Sequence, residues 1–278
     1  MPTIRDALNA ARARIAAASD SAGLDAQVLL GAVLGVDRAY LLAHPEGELS
    51  PEQAARFATF ADRAARGEPI AYILGRRAFY DREFYVTPDV LIPRPETELL
   101  LEEALAWVKR RPSARAIDVG TGSGALAVTL AVNAPQVEVY AVDVSEAALG
   151  VARRNAETHG VNVRFVHGDL LTPFLGGAAR FDLVMANLPY IPSGDVPALA
   201  VSRYEPLLAL DGGADGLALI RRLLDQIPQV CDPGALILLE TAADQGAAAL
   251  TLANSLSPQS ASVLSDYAGH DRIIRMIL

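Results

Sequence analysis

From Ala116 onward, short apolar runs alternate with helical stretches, and that alternation restricts the possible folds more than any other feature of the 278 residues. The strand candidates are Ala116–Val119, Val137–Val142, Val163–His167, Leu183–Ala186 and Leu236–Leu239. Strands of this kind, apolar on both faces and separated by helices long enough to cross back, predict an α/β fold with a parallel sheet covered by helices. The last two runs, Ala261–Leu264 and Ile273–Leu278, have no convincing helix between them. They predict an antiparallel pair at the sheet edge, turning at Asp266–Gly269.

Ahead of this region the periodicity is helical. Ile4, Leu8, Ala11 and Ile15 recur at helical spacing, Leu29, Leu30, Val33 and Leu34 repeat the pattern, and Phe57, Phe60, Ala61 and Ala64 form a third face. Residues Met1 to about Gly67 therefore predict a small helical bundle, with Ser50 as an N-cap and Pro51 at the first helical position. Asp6 and the orderly apolar spacing mark the Arg- and Ala-rich start as a domain helix rather than a transit sequence. Phe79 to Ile92, aromatic and β-branched with Asp81 and Arg82 between its halves, predicts a hairpin. Pro93 and Pro95 end it, and Glu96 to Lys109 resumes helical periodicity.

Several function classes are disfavoured at once. A formal net charge of -9 without a dense Lys/Arg run leaves nothing to attract a polyanion, so no direct nucleic-acid contact is expected. The single cysteine, Cys231, cannot form an internal disulfide and has no neighbours at metal-ligand spacing; it predicts a packing role and no metal. No apolar stretch reaches the roughly 18 residues that span a bilayer, and a signal peptide's apolar core is absent, so a cytoplasmic protein is expected.

The run Ile117-Asp118-Val119-Gly120-Thr121-Gly122-Ser123-Gly124 ends one strand and opens a helix, where a glycine backbone lets a nucleoside approach closely. The next strand ends in Asp143, placed to accept both ribose hydroxyl protons. Dinucleotide sites use the same geometry, but here the spacing is G-x-G-x-G, without the third glycine one place further on. Asp118 would also repel a phosphate, while it could help hold a cation. The combination favours S-adenosyl-L-methionine over a dinucleotide. A third strand ends in His167-Gly168-Asp169-Leu170, where Asp169 can accept from an adenine amino group and Leu170 can cover the ring, the plain alternative being a capped turn. His167 is read as a strand-end residue rather than a base.

The fourth strand breaks at Asn187-Leu188-Pro189-Tyr190, on the carboxyl edge where open α/β sheets place their sites. An amide nitrogen is a weak nucleophile because its lone pair is delocalised. The Asn187 side-chain oxygen and the Leu188 carbonyl can accept its two N–H bonds, Pro189 fixes Leu188 as extended, and Tyr190 can lie against the amide plane. No strong base is needed, because the nitrogen's excess proton can leave late.

At this point the chain resembles the peptide-chain release factor glutamine N5-methyltransferases over nearly its whole length. Gly67–Gly75, Val90–Glu98, Asp118–Gly124 and Asn187–Tyr190 carry the likeness, the first two blocks being the more telling. The resemblance implies a seven-stranded Rossmann-like class I methyltransferase sheet over 96–278, an N-terminal helical substrate-recognition domain over 1–75 and a β-hairpin linker over 76–95. It implies methyl transfer to the glutamine of a release factor's Gly-Gly-Gln motif, with S-adenosyl-L-homocysteine as the other product. Gly120, Thr121, Gly122, Ser123, Gly124, Asp143, Asp169, Leu170 and Asn187 would hold the cofactor, and Asn187, Leu188, Pro189 and Tyr190 the reacting amide. Tyr204-Glu205-Pro206 and Asp211-Gly212-Gly213 would be channel walls or structural supports, and Arg94 and Glu96 a domain-joining ion pair or ligand contacts. Three positions depart from the family pattern: Leu188 replaces a proline, Leu170 an aromatic residue, and Glu240-Thr241-Ala242 a Glu-Ile-Gly-like strand end. The competing readings are an amino-methyltransferase acting on adenine in nucleic acid and a non-catalytic cofactor-binding adaptor of translation factors. A monomer is expected.

Overall fold

In the computed structural model, which describes residues 1–111 and 113–278, the chain divides into two units, Met1–Arg76 and Arg77–Leu278. The first is helical, and its boundaries follow its caps. α1 (Ile4–Ile15) begins where the Thr3 hydroxyl accepts from Asp6 N at 3.2 Å and the Asp6 carboxylate accepts from Thr3 N at 3.3 Å, satisfying two N–H groups that have no partner within the helix. α2 (Ala22–Leu34) stops at Gly35, and α3 (Arg38–Ala43) is capped by Asp37. α4 (Pro51–Ala65) uses the predicted cap, Ser50 Oγ accepting from Gln53 N at 3.2 Å. α5 (Ile70–Leu74) follows. The three predicted apolar faces belong to α1, α2 and α4, which bury Ile4, Ile15, Leu29, Leu30 and Phe57 in one core. With six and five residues, α3 and α5 are too short to leave a periodic face in the sequence.

A hairpin of β1 (Arg76–Phe79) and β2 (Arg82–Tyr85) comes next, earlier and shorter than predicted. Phe79 ends the first strand instead of beginning it, and Arg82 lies in the second strand rather than the turn. The chain reverses at Tyr80, which takes φ 58. Val86, Val90 and Ile92 are buried by packing outside any strand, so their composition imitates one.

α6 (Thr97–Val108) then precedes the main sheet, formed by β3 (Arg115–Val119), β4 (Glu138–Asp143), β5 (Arg164–His167), β6 (Phe181–Ala186), β7 (Cys231–Glu240), β8 (Ser260–Ser265) and β9 (Asp271–Ile277). Between the strands run α7 (Ala125–Asn133), α8 (Glu146–Thr158), α9 (Ala218–Val230) and α10 (Gly246–Asn254). The order is β5-β4-β3-β6-β7-β9-β8, parallel except that β9 runs antiparallel to both β7 and β8. The predicted antiparallel pair is present, with β8 outermost. β7 begins at Cys231, ahead of its apolar run, because Asp232, Pro233 and Gly234 interrupt the pattern.

Side chains alternate across the sheet. Ala116, Val139, Ala141, Leu183 and Met185 face the α6–α7 layer, whereas Ile117, Val119, Val142, Val184 and Ala186 pack with residues of α9 and α10. After β5 the chain returns to place β6 on the other side of β3, with Val119 opposite Ala186. The carboxyl ends of β3 and β6 thus flank the reversal in strand order, where such a sheet opens a crevice. Among the described residues, no helix is long and apolar enough to cross a membrane.

Candidate active site

The loop after β3 takes left-handed geometry three times, at Gly120, Gly122 and Gly124 (φ 73, 54 and 80). A Cβ on Gly120 would lie 2.9 Å from Leu188 Cδ2, and one on Gly124 3.1 Å from the Ala152 Cβ, whereas one on Gly122 would meet open space. The loop is held from beneath. Thr121 Oγ1 donates to Asp118 Oδ2 at 2.6 Å, and Ala127 N donates to the same oxygen at 3.3 Å. Asp118 is almost wholly buried, and loss of water pushes its pKa up to about 7 despite these bonds. Such a carboxyl under the loop suits a cation better than a phosphate.

Asp143, at the end of β4, accepts from Gly122 N and Ser145 N, each at 2.8 Å and each on a different oxygen. Burial raises its pKa, while the bonds from Ser145 and Gly122 oppose the rise. A carboxylate has about four acceptor positions, so this one is fixed in direction and retains capacity for hydroxyl groups. Asp169 is ion-paired with Arg222, and Leu170 is buried in a left-handed conformation, φ 52. His167 Nε2 is engaged with the Val144 carbonyl at 2.9 Å.

These elements enclose a cavity of about 370 Å³. Gly120, Thr121, Gly122, Ser123, Asp143, Asp169, Leu170, Asn187, Leu188 and Pro189 all line it. Gly124 and Tyr190 are not among the described lining residues. Gly124 instead is the N-cap of α7, and Tyr190 is largely buried, which pushes its pKa up to about 12.

The turn after β6 is braced on two sides. Asn187 Nδ2 donates to Thr97 Oγ1 at 2.9 Å, and the Tyr190 carbonyl accepts from Gln245 Nε2 at 2.8 Å. The segment containing Asp211-Gly212-Gly213 lies against the continuation of the turn: Ile191 N donates to the Leu210 carbonyl at 3.1 Å and Gly212 N to the Ile191 carbonyl at 2.8 Å. A Cβ on Gly212 would be 2.7 Å from the Pro189 carbonyl oxygen, which identifies this stretch as a backing strip. Pro206, by contrast, reaches the cavity. Arg94 also lines the cavity and is fixed by Glu205, its Nη2 reaching both carboxylate oxygens at 2.7 Å. Glu205 is 3% exposed, and burial raises its pKa against the pull of Arg94.

Three residues shape the site without having been singled out for it: Thr97, which lies inside the Val90–Glu98 block, and Asn155 and Gln245, which belong to no local motif. Asn155 on α8 donates through Nδ2 to the Ser123 carbonyl at 2.8 Å and the Tyr85 carbonyl at 2.9 Å, and accepts from Tyr85 N at 2.8 Å, tying the glycine loop to β2. The sequence does carry a trace of it, since Asn155 falls on the helix face made by Leu149, Ala152 and Ala156. Among the described residues, no group of three or more His, Cys, Asp or Glu side chains could hold a metal.

Two family models match the chain, a "PrmC N-terminal domain" over residues 6–75 and a "Methyltransferase domain" over residues 116–207. The chain is 44% identical to a release factor glutamine methyltransferase of Moorella thermoacetica, covering 97% of this chain and 96% of the relative. It is 40% identical to one of Geobacter sulfurreducens, covering 98% and 95%. Among solved structures, a Thermus thermophilus 16S rRNA N2 G1207 methyltransferase in complex with AdoMet and guanosine superposes with a TM-score of 0.53 at 20% identity, over 73% of this chain and 49% of that one. That likeness bears on the fold.

Proposed function

The chain belongs to the family of release factor glutamine methyltransferases, and from that premise we propose how its site methylates a release-factor glutamine. S-adenosylmethionine, when bound, supplies an electrophilic methyl group and leaves as S-adenosylhomocysteine. Gly120 to Ser123, Asp143, Asp169 and Leu170 would hold it, with Asp143 on the ribose hydroxyls, Asp169 on the adenine amino group and Leu170 over the ring. The residues present suit this group: a positive-φ loop with open space above Gly122, a fixed ribose acceptor and a buried carboxyl beneath.

The glutamine of a Gly-Gly-Gln loop would enter beside Asn187. Two acceptors, Asn187 Oδ1 and the Leu188 carbonyl, would take its two N–H bonds and weaken the conjugation that keeps the nitrogen unreactive. Pro189 keeps Leu188 extended, as it would after proline, so the leucine departure preserves the carbonyl. Tyr190 keeps water from the far side of the turn. Orientation supplies most of the acceleration, and the excess proton leaves the nitrogen without a dedicated base.

The observation that carries this reading is the hydrogen bond from Asn187 Nδ2 to Thr97 Oγ1, which engages one N–H of the amide, so that the oxygen would be the end offered to the cavity that Asn187 lines. The test is mass spectrometry of a release-factor peptide containing Gly-Gly-Gln after incubation with enzyme and S-adenosylmethionine. A single added methyl on the glutamine side chain is expected. An unmodified glutamine, or a methyl on another residue, would overturn the assignment. The protein would act as a cytoplasmic monomer without nucleic acid, which sedimentation of the enzyme with and without release factor addresses.

A further inference from the structure

The Val90–Glu98 block puts an arginine, Arg94, in the wall of the cavity, with no part in holding either the nucleoside or the glutamine. Among the described residues, the charged side chains lining that cavity are four acids, Asp89, Asp118, Asp143 and Asp169, and two cations, Arg94 and Arg222. Arg222 is paired with Asp169, at the end assigned to adenine. Arg94 belongs to the other end. Its carbonyl accepts from Thr97 N at 3.2 Å, and Thr97 Oγ1 accepts from Asn187 Nδ2 at 2.9 Å, so the arginine stands one turn of chain before the residue that braces Asn187.

The guanidinium is held at one corner. Nη2 donates to both oxygens of Glu205, each at 2.7 Å, whereas a forked pair would set two nitrogens against two oxygens. Glu205 is buried, and both of its recorded hydrogen bonds end on that one nitrogen. Nε and Nη1 make no hydrogen bond among the described residues, and the Arg94 side chain keeps 33% of its surface exposed. A cation fixed from behind, with N–H groups to offer in a cavity wall, is arranged to bind an acceptor.

The glutamine amide is the wrong acceptor. A donor on its oxygen would draw the lone pair further into the carbonyl, and a cation beside its nitrogen would oppose the positive charge that builds there during transfer. The methionine tail of the cofactor suits Arg94 better. It leaves the same sulfur that carries the methyl group, so it lies toward the end of the cavity where the methyl would meet Asn187, and it ends in a carboxylate. Taking that carboxylate out of water without a cation would be costly. The ammonium group on the same carbon keeps negative charge from accumulating beside Glu205.

We propose that Arg94 is a cofactor-binding residue, fixed by Glu205 so that Nε and Nη1 take the carboxylate of the methionine portion of S-adenosylmethionine. The inference rests on the reading of the cavity as the cofactor site. It makes Arg94 the residue that tells the cofactor from nucleosides lacking the carboxylate.

The experiment measures, by calorimetry on the full chain and its variants, the Kd of S-adenosylhomocysteine and of its analogue with hydrogen in place of the carboxylate. The wild-type chain should bind the carboxylate form about 10- to 100-fold more tightly, the range of a charge-assisted hydrogen bond. Arg94→Met keeps the apolar stem and removes the guanidinium; S-adenosylhomocysteine should lose that same factor in affinity and the analogue less than about threefold. Because Arg94→Met leaves Glu205 buried and unpaired, the double variant with Glu205→Gln carries the test if the single one fails to fold. Equal losses for both ligands would mean that Arg94 only supports the fold, and an undiminished preference in the variant would place the carboxylate elsewhere; either overturns the proposal. Unchanged Kd values with a raised KM for the Gly-Gly-Gln peptide would turn Arg94 toward the substrate and overturn it as well. A wild-type chain that binds neither ligand would strike the reading of the cavity itself.

Discussion

Met1–Arg76 and Arg77–Leu278 differ in what they bury. Every buried polar or charged side chain among the described residues lies in the second unit, including Thr97, Asp118, Thr121, Asn155, Glu205, Glu240 and Gln245. In the first unit, polar groups work at the surface and at helix ends, as Thr3 does with Asp6 and Ser50 with Gln53. Burying a polar group costs free energy unless its partners are complete, and Glu240 Oε2 and Thr241 Oγ1 have none. In the second unit some of these buried groups hold a loop or turn in place, as Asp118, Asn155 and Gln245 do. Polar substitutions should therefore alter chemistry in one unit and only stability in the other.

Asn187→Ala should produce the largest effect. Removing one acceptor from the transition state should lower methylation about 100- to 1,000-fold, while calorimetry finds S-adenosylmethionine affinity within about twofold of wild type. Equal loss of both would mean that Asn187 chiefly holds the cofactor.

A matched pair of glycine substitutions sharpens the contrast. Gly216 and Gly35 both have positive φ, 73 and 69, but a Cβ on Gly216 would lie 2.2 Å from the Tyr190 carbonyl oxygen, while one on Gly35 meets nothing within 4 Å. Gly216→Ala should cost about 3 kcal/mol and Gly35→Ala about 1 kcal/mol, as strain alone predicts for the latter. Urea unfolding measures both; equal costs would show that the backing strip yields freely.

The dependence of stability on pH should also belong to the second unit. Burial raises the folded pKa values of Asp118 and Glu240 to about 7, above the ordinary carboxyl values of 3.8 and 4.5. A raised carboxyl holds its proton longer folded than unfolded, so its contribution is fully present below the unfolded pKa and is lost as pH climbs through the folded one. Without ligand, the unfolding free energy should fall between pH 4 and 7 by at most about 1.4 kcal/mol per pH unit for each group. Glu240→Gln should flatten the slope. Chemical denaturation across that range checks it, and a slope unchanged in the variant would show that Glu240 does not titrate there.

The smallest effect is expected at Ser50→Ala in the first unit, about 1 kcal/mol of stability from the lost cap, with kcat on the Gly-Gly-Gln peptide unchanged. A fall in kcat there would break the division of labour.

The same contrast explains what could be read from the chain. Strand positions were legible because strands buried on both faces are apolar throughout, and the Ser50 cap because its signal spans only a few residues. The glycine loop and the Asn187–Tyr190 turn are local for the same reason. Thr97, Asn155 and Gln245 act on partners 90, 70 and 55 residues away; the Val90–Glu98 block marks Thr97 without naming its partner, and no local pattern marks the other two. The hairpin was misplaced because Val86, Val90 and Ile92 have strand composition and no strand partner.

The contact between the Leu188 side chain and Gly120 has one more consequence. It makes the glycine loop after β3 and the turn after β6 share a wall, so neither can shift without the other accommodating it. Thermodynamic reciprocity then applies: whatever preference a filled loop transmits to an arriving peptide, the peptide returns in equal measure to the loop. If the two segments hold the cofactor and the glutamine as proposed, a leucine at this position would make them mechanically answerable to each other.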